Sequence, residues 1–196
     1  MTEANFALHP ECERDSLKNW SKEWLNTPGC SQIELKIAGD KVICTQEPYN
    51  LKNTPSNIIR SQKIKVACFD DDLKFSVKEL SLYNDKTEVE LDLNGDSMPK
   101  AFLPNYMVYG YGKFIIDEHS FRHFENSQFI KLDCRLSRKQ IYNILFDMVR
   151  TGQAAGSRVL QFIAKNLSDE NAEEILNDLL KSIVPALIGK YVPIES

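Results

Sequence analysis

The hydrophobic period of the chain changes twice. In DSLKNWSKEWLNTPG, Leu17, Trp20, Trp24 and Leu25 recur at helical spacing on one face, Asp15 stands where an N-cap belongs, and Pro28 and Gly29 end the run. From residue 31 the period falls to two: SQIELKI sets Ile33, Leu35 and Ile37 against Gln32, Glu34 and Lys36, as in a strand with one buried face. Ala38 to Lys41 (AGDK) reads as a tight hairpin connection into KVICTQEP. The alternation returns in IKVACF (Ile64, Val66, Cys68), LKFSV (Leu73, Phe75, Val77) and TEVELDL (Val89, Leu91, Leu93), with NDK and NGDS as turns and YGKFIID closing the series. Short strands at near-regular spacing predict an antiparallel β-sandwich of roughly ninety residues.

After residue 117 the helical period resumes. Ser137 and Gln140 compose the S-x-x-Q of a capping box, Ile141, Ile144, Leu145, Met148 and Val149 form an apolar face, and Gly152 ends it. Two more helices are predicted. One runs around Val159 to Leu167, and the other from about Asp169, with Ser168 as its cap, through Ile175, Leu176, Leu179, Leu180, Ile183 and Val184. Pro185 should bend or restart the last one, because it lacks a backbone donor and clashes with the preceding turn. The expected fold class is α+β, an antiparallel β-sandwich flanked by an N-terminal helix and a C-terminal set of helices.

Composition narrows the function classes. At 196 residues, 42% hydrophobic and 27% charged, the chain suits one or two small globular domains. A net charge of -4 with scattered Lys and Arg argues against a nucleic-acid partner, because phosphate binding needs clustered cations. No apolar run approaches the ~20 residues that span a bilayer, so no membrane partner is expected. Five cysteines (Cys12, Cys30, Cys44, Cys68, Cys134), odd in number and without a CxxC, fit a reducing, cytoplasmic setting rather than a disulfide framework or a zinc knuckle.

The candidate chemistry is thin. DEHSFRHF carries His119 and His123 one helical turn apart, the spacing of an HExxH zinc helix, but Ser120 stands where the water-activating Glu is needed. Glu118 and Glu125 lie near, and neither sits where a later helix delivers a third ligand. Flanked by Phe121, Arg122 and Phe124, the pair reads as a helix surface with a partly buried aromatic edge. Asp70, Asp71 and Asp72 lack the Gly and terminal Glu of a calcium loop and read as a solvated turn. Trp20 and Trp24 suit a stacking platform less well than a core face. No GxGxxG, GxxxxGK[ST] or GxSxG occurs, so no catalytic, cofactor-binding or metal-ligating residue is assigned.

Four short strings, taken in order, are more specific. WSKEWLNTPG is similar to a W-x-x-x-W-L-x-T-x-G string through Trp20, Trp24, Leu25, Thr27 and Gly29. RSQKIKVACFD is similar to R-P-H-R-L-x-I-G-L-Y-D through Arg60, Lys63, Ile64, Val66, Phe69 and Asp70. LPNYMVYGYGKFIIDE matches L-P-N-D-D-D-L-T-Y-A-K-V-R-L-D-E without a gap at Leu103, Pro104, Asn105, Tyr111, Lys113, Asp117 and Glu118. RLSRKQIYNILFDMVRTG is similar to P-L-A-R-x-x-x-W-x-x-L-W-D-M-x-R-D-G through Leu136, Arg138, Leu145, Asp147, Met148, Arg150 and Gly152. In this order they resemble the zinc-dependent aminopeptidase family that includes aminopeptidase N, in the branch common in actinobacteria and some protists.

That resemblance implies a parent that uses zinc-activated water to release N-terminal amino acids from peptides. It divides the chain into the end of a catalytic domain (residues 1–30), a β-sandwich intermediate domain (31–117) and the start of a C-terminal α-helical domain (118–196). The family's GxMEN string, HExxH and downstream Glu ligand belong before the first helix, so the chain is expected to be an inactive scaffold fragment, with zinc only in the parent. Tyr106, Met107 and Val108 replace the acidic triplet after L-P-N. The implied partners are the catalytic and remaining helical domains of the parent and its peptide substrate. Separately, Leu179, Leu180, Ile183, Val184, Leu187 and Ile188 outnumber what one helix face can hide, so a second copy of the chain is an expected partner at the C-terminal helices. The alternative is a stand-alone, non-catalytic protein-binding β-sandwich module.

Overall fold

The computed structural model describes residues 15–49 and 59–193, and the predicted elements follow one another in the predicted order. Helix α1 (Asp15–Leu25) leads into the hairpin of β1 (Cys30–Ala38) and β2 (Lys41–Tyr49). Gly39, at φ +67°, makes the tight turn, and the pairing runs from Ala38 opposite Lys41 to Cys30 opposite Tyr49. Five further strands complete two sheets: β3 (Gln62–Phe69), β4 (Phe75–Leu82), β5 (Glu88–Glu90), β6 (Ala101–Leu103) and β7 (Lys113–Ile115). The four-stranded sheet has the order β5-β2-β1-β7 and the three-stranded sheet β4-β3-β6. The fold is α+β.

Every pairing is antiparallel except that of β7, which runs parallel to β1. The expected all-antiparallel arrangement is corrected there, and the route of the chain explains it. After β6 the chain leaves the three-stranded sheet and crosses to the other through residues 104–112, so no hairpin dictates the direction of β7. The crossing is tight. A Cβ added to Gly110 lies 2.5 Å from Ile64 Cγ2, and one on Gly112 lies 2.7 Å from the Ser31 carbonyl oxygen, so only glycine passes at either point. Asn105, Met107 and Val108 hold φ values of 59°, 62° and 55° along the same path.

Burial alternates along β1 and β2, with Ser31, Ile33 and Leu35 inward on one and Val42, Cys44 and Gln46 on the other. Strand β4 departs from the sequence pattern. Leu73 belongs to the turn at φ 61°, Val77 is exposed, and the buried positions are Leu80 and Leu82, paired with Ile64 and Gln62. The partner strand accounts for this: β3 is buried on both faces over Val66–Phe69, so Phe75 packs against Phe69 on the side opposite Leu80, with ring centroids 5.3 Å apart.

Helix α2 (Glu118–Asn126) is capped by the Asp117 carboxylate, which accepts the His119 N–H at 3.1 Å. Helix α3 (Arg135–Arg150) begins two residues before the expected capping box, with Cys134 at the N-cap. Ser137 and Gln140 therefore lie inside it and are buried. Its end is as expected: Gly152, at φ +76°, donates to Val149 and Gln153 donates to Met148, the paired bonds of a Schellman motif. Helix α4 spans Gly156–Leu167, and Ser168 ends it rather than capping the next helix. Helix α5 (Glu173–Asp178) starts later than expected. It continues through a wide turn at Leu179–Ile183 into α6 (Val184–Ala186) and a second wide turn at Leu187–Tyr191. Pro185 sits between the two wide turns, where its missing donor does least harm.

One hydrophobic cluster runs through both sheets and the helices. Phe69 of β3 meets Phe124 of α2 at 5.5 Å, Phe124 meets Phe129 at 6.1 Å, and Phe129 meets Phe162 of α4 at 4.9 Å, all edge to face. Leu179, Ile183 and Leu187 are buried from the C-terminal helix, whereas Leu180 and Ile188 remain exposed. The face expected on α1 is less buried than its spacing implies: Trp20 and Leu25 are exposed at 41% and 66%. The roles expected of Asp15, Leu17 and Cys12 lie outside the described side chains. Among the described residues, no helix is long and apolar enough to cross a membrane.

Candidate binding site

A candidate site lies where α1 meets the sheets. Residues Trp24, Thr27, Pro28, Gly29, Arg60 and Tyr111 line an open cleft of about 410 Å³ there. Arg60 is its centre, and three elements position it. Its N–H donates to Ser31 Oγ of β1 at 3.1 Å, while its side chain reaches the end of α1. Nε donates to the Glu23 carbonyl at 2.9 Å, and Nη2 donates to Thr27 at 2.7 Å and Pro28 at 3.4 Å. A helix C-terminus presents unpaired carbonyls and partial negative charge, so a guanidinium suits it. The Arg60 guanidinium carbon also stands 5.5 Å from the Trp24 ring centroid, and Tyr111 meets Trp24 edge to face at 6.2 Å.

Arg60 is 2% exposed, and its Nη1 is buried without a hydrogen-bond partner. The indole Nε1 of Trp24 is in the same condition. Both donors belong to residues that line the cleft, and both are sealed from solvent. Tyr111 is fixed from the other side, since Gln62 Nε2 donates to its carbonyl at 3.0 Å and its N–H donates to Gln62 Oε1 at 2.9 Å.

A second polar junction joins the sheets to α3. Lys113 of β7 is buried, with its ammonium 4.6 Å from the Tyr49 ring, bonded to the Thr151 hydroxyl and 3.9 Å from an Asp147 oxygen. Burial pushes its pKa down, against the opposing pull of Asp147. Gln140 of α3 donates to the carbonyls of Asn105 at 2.7 Å and Pro104 at 3.2 Å. Arg138 and Glu170 form a buried two-point ion pair, at 3.0 Å from Nε and 2.8 Å from Nη2.

The histidines do not form a metal site. His123 Nε2 lies 3.1 Å from the Asp70 carbonyl, and His119 is exposed. Both neighbouring glutamates are taken by Arg158, which donates to Glu125 at 2.8 and 2.6 Å and to Glu118 at 2.7 Å, over the Phe121 ring. Among the described residues no three His, Cys, Asp or Glu side chains are grouped to hold a metal ion. Asp70 forms a turn, accepting the N–H groups of Asp72 and Lys74 at 2.9 Å each.

The cysteines differ sharply. Burial pushes the Cys44 and Cys68 thiols up to about 12, and raises that of Cys30 as well. Burial acts on Cys134 in the same direction, but the Ser137 side chain and the N–H groups of Ser137 and Leu136 in the first turn of α3 outweigh it and hold the thiol below its usual range.

The positions missed from sequence had a visible signal. Ser31, Gln46 and Gln62 are polar residues on the inward phase of apolar strands, and each bonds to a connecting segment distant in sequence, at Arg60, Lys86 and Tyr111 respectively. No protein-family model matches the chain, and no curated protein matches it.

Proposed function

We propose that the chain is a non-catalytic connecting module of a zinc-dependent aminopeptidase, holding a catalytic domain at its N-terminal side and a helical domain at its C-terminal side in fixed relation. One observation carries this reading: residues of the four strings, far apart in sequence, meet at the junctions. Arg60 of the second string grips Thr27 and stacks on Trp24 of the first. Tyr111 of the third packs on the same Trp24, and Lys113 of the third approaches Asp147 of the fourth. Asn105 of the third accepts from Gln140, within the fourth. Polar contacts of this kind fix relative orientation, which is the task of a connecting piece. They add little to affinity for a loose partner.

In the finer fold that accompanies this proposal, the two sheets stack as a β-sandwich. The inward residues Ile33, Leu35, Val42 and Cys44 of one sheet and Ile64, Val66, Leu80 and Leu82 of the other belong to one cluster, which supports that arrangement. A cytoplasmic location and the parent's zinc belong to the same proposal.

The test is the transcript upstream of Met1. An open frame encoding H-E-x-x-H and a G-x-M-E-N string supports the proposal. An in-frame stop codon directly before Met1 overturns it in favour of a stand-alone module. In parallel, the purified chain should hydrolyse no aminoacyl reporter and should lose any zinc to a weak chelator.

A further inference from the structure

We propose that Cys134 is a site of oxidation by hydroperoxides, with Ser137 and Tyr106 as the side chains that position its sulfur for conversion to a sulfenic acid. Cys134 is the N-cap of α3, a helix of 16 residues, and its carbonyl accepts the Arg138 N–H at 3.1 Å. The N–H groups of Leu136 and Ser137, ahead of that first bond, lie against the Cys134 sulfur, where a capping serine or aspartate would place an oxygen. Two hydroxyls stand beside the same sulfur, Ser137 from within the helix and Tyr106 from the crossing segment. In the thiol form these donors are not filled. The sulfur makes no capping hydrogen bond, and the Ser137 hydroxyl, on a residue 1% exposed, has no hydrogen-bond partner among the described residues.

A thiol is a weak acceptor, whereas a thiolate, or an oxygen carried on the sulfur, is a strong one, so the converging donors favour first the reactive anion and then its oxidised product. Hydroperoxides are the class of reagent that leaves such an oxygen. The thiolate attacks one peroxide oxygen, an S–O bond forms as the O–O bond breaks, and the departing hydroxide takes a proton from solvent to become water. Sulfur gives up an electron pair and the peroxide takes it, which leaves the sulfenic acid. A peroxide can reach this thiol, because Cys134 is partly exposed, whereas Cys44 and Cys68 are buried. The Ser137 hydroxyl needs no access to solvent, since it acts on the sulfur and not on the free reagent.

The test treats the purified chain with hydrogen peroxide, traps sulfenic acid with dimedone and follows each thiol by peptide mass mapping. The trapped product should accumulate at Cys134 about tenfold or more faster than at Cys30, which is also partly exposed, and should not form at Cys44 or Cys68 in the folded chain. Ser137→Ala should lower the rate at Cys134 about threefold or more and leave that at Cys30 unchanged. Because the Ser137 hydroxyl has no hydrogen bond to lose, this variant should keep the urea midpoint of the unmodified chain, and any loosening of the helix would raise the rate rather than lower it. Equal rates at Cys134 and Cys30, or a rate at Cys134 that Ser137→Ala does not lower, overturns the proposal. If Ser137→Ala fails to fold, Tyr106→Phe removes the other hydroxyl: a fall at Cys134 of about twofold or more supports the site, and no fall refutes it.

Discussion

Replacing Glu170 with Gln strands a buried positive charge, and its cost follows from the surroundings of the pair. The side chains of Arg138 and Glu170 are 6% and 0% exposed. Glu170 accepts two bonds from Arg138 and also the N–H groups of Asn171 and Ala172 at 3.1 and 3.0 Å, which fixes the entry into α5. Arg138 additionally donates to the Leu132 carbonyl. Breaking a buried pair from one side costs roughly 3–5 kcal/mol, a large share of the 5–15 kcal/mol typical of a folded domain. Arg138→Met should fall at the lower end, because Glu170 keeps its two backbone donors. In Arg138→Met/Glu170→Gln no charge is stranded and the amide oxygen can still accept the Asn171 and Ala172 N–H groups, so the combined loss should be smaller than the sum of the single losses by about 2 kcal/mol or more.

Urea unfolding followed by far-ultraviolet circular dichroism measures all four species, and an unchanged slope against denaturant validates the comparison. Acid adds an independent check. Burial pushes the Glu170 pKa up, but the Arg138 and backbone hydrogen bonds outweigh it, so the folded value lies below the usual glutamate range. A depressed folded value means that the contribution is complete above the unfolded value, about 4.3, and is lost as pH falls from there through the folded value. Glu170→Gln should therefore flatten the acid limb of the stability curve below about pH 4.3. Single variants that each cost under about 1 kcal/mol, with no coupling, would show that the pair behaves like a solvent-exposed one and refute the reasoning.

Four other outcomes are expected. Gly112→Ala should destabilise by about 1–3 kcal/mol, because its Cβ meets the fixed Ser31 carbonyl at 2.7 Å; an unchanged urea midpoint would mean that the crossing segment yields freely. Tyr142→Phe should be neutral or stabilising by about 1 kcal/mol, since the hydroxyl is buried without a partner, and a loss above 1 kcal/mol contradicts this. Iodoacetamide at pH 7.5, with mass mapping, should modify Cys134 before Cys30 and reach Cys44 and Cys68 only on unfolding; equal rates for Cys134 and Cys44 count against the assignment. If the chain pairs with a second copy through its C-terminal helix, Leu180→Glu should shift sedimentation toward the monomer, because Leu180 is exposed while Leu179, Ile183 and Leu187 are already buried.

The elements were legible where the physics is local. Alternation marked β1 and β2 because one face of each is buried and the other is solvated, and the Gly39 turn fixes their register. Strand β4 misled for the converse reason: β3 is covered on both sides over Val66–Phe69, so apolar residues occur in both phases of its partner and period alone cannot say which face points inward. The capping box at Ser137 and Gln140 was legible as a pattern and wrong as a boundary. Packing against Pro104 and Asn105 drew Gln140 into the core, and the helix began at the earlier Cys134. A parallel β7 had no local signal, because its direction depends on a crossing between sheets.

The cleft was hidden for a different reason. Hydrophobic period reports which residues leave water, whereas the junctions here depend on polar residues that leave water in pairs. Arg60 follows no apolar run, and nothing in its own string indicates that it spans to Glu23, Thr27 and Pro28. A buried arginine must nevertheless be compensated, and that requirement can be followed without knowing the fold. It leads from Arg60 to the carbonyls of Glu23, Thr27 and Pro28 at the end of α1, which supply acceptors and the partial negative charge of a helix C-terminus together. An apolar side chain of similar size would leave those carbonyls without a donor, so the arginine ties α1 to the sheets in a way that hydrophobic period does not report.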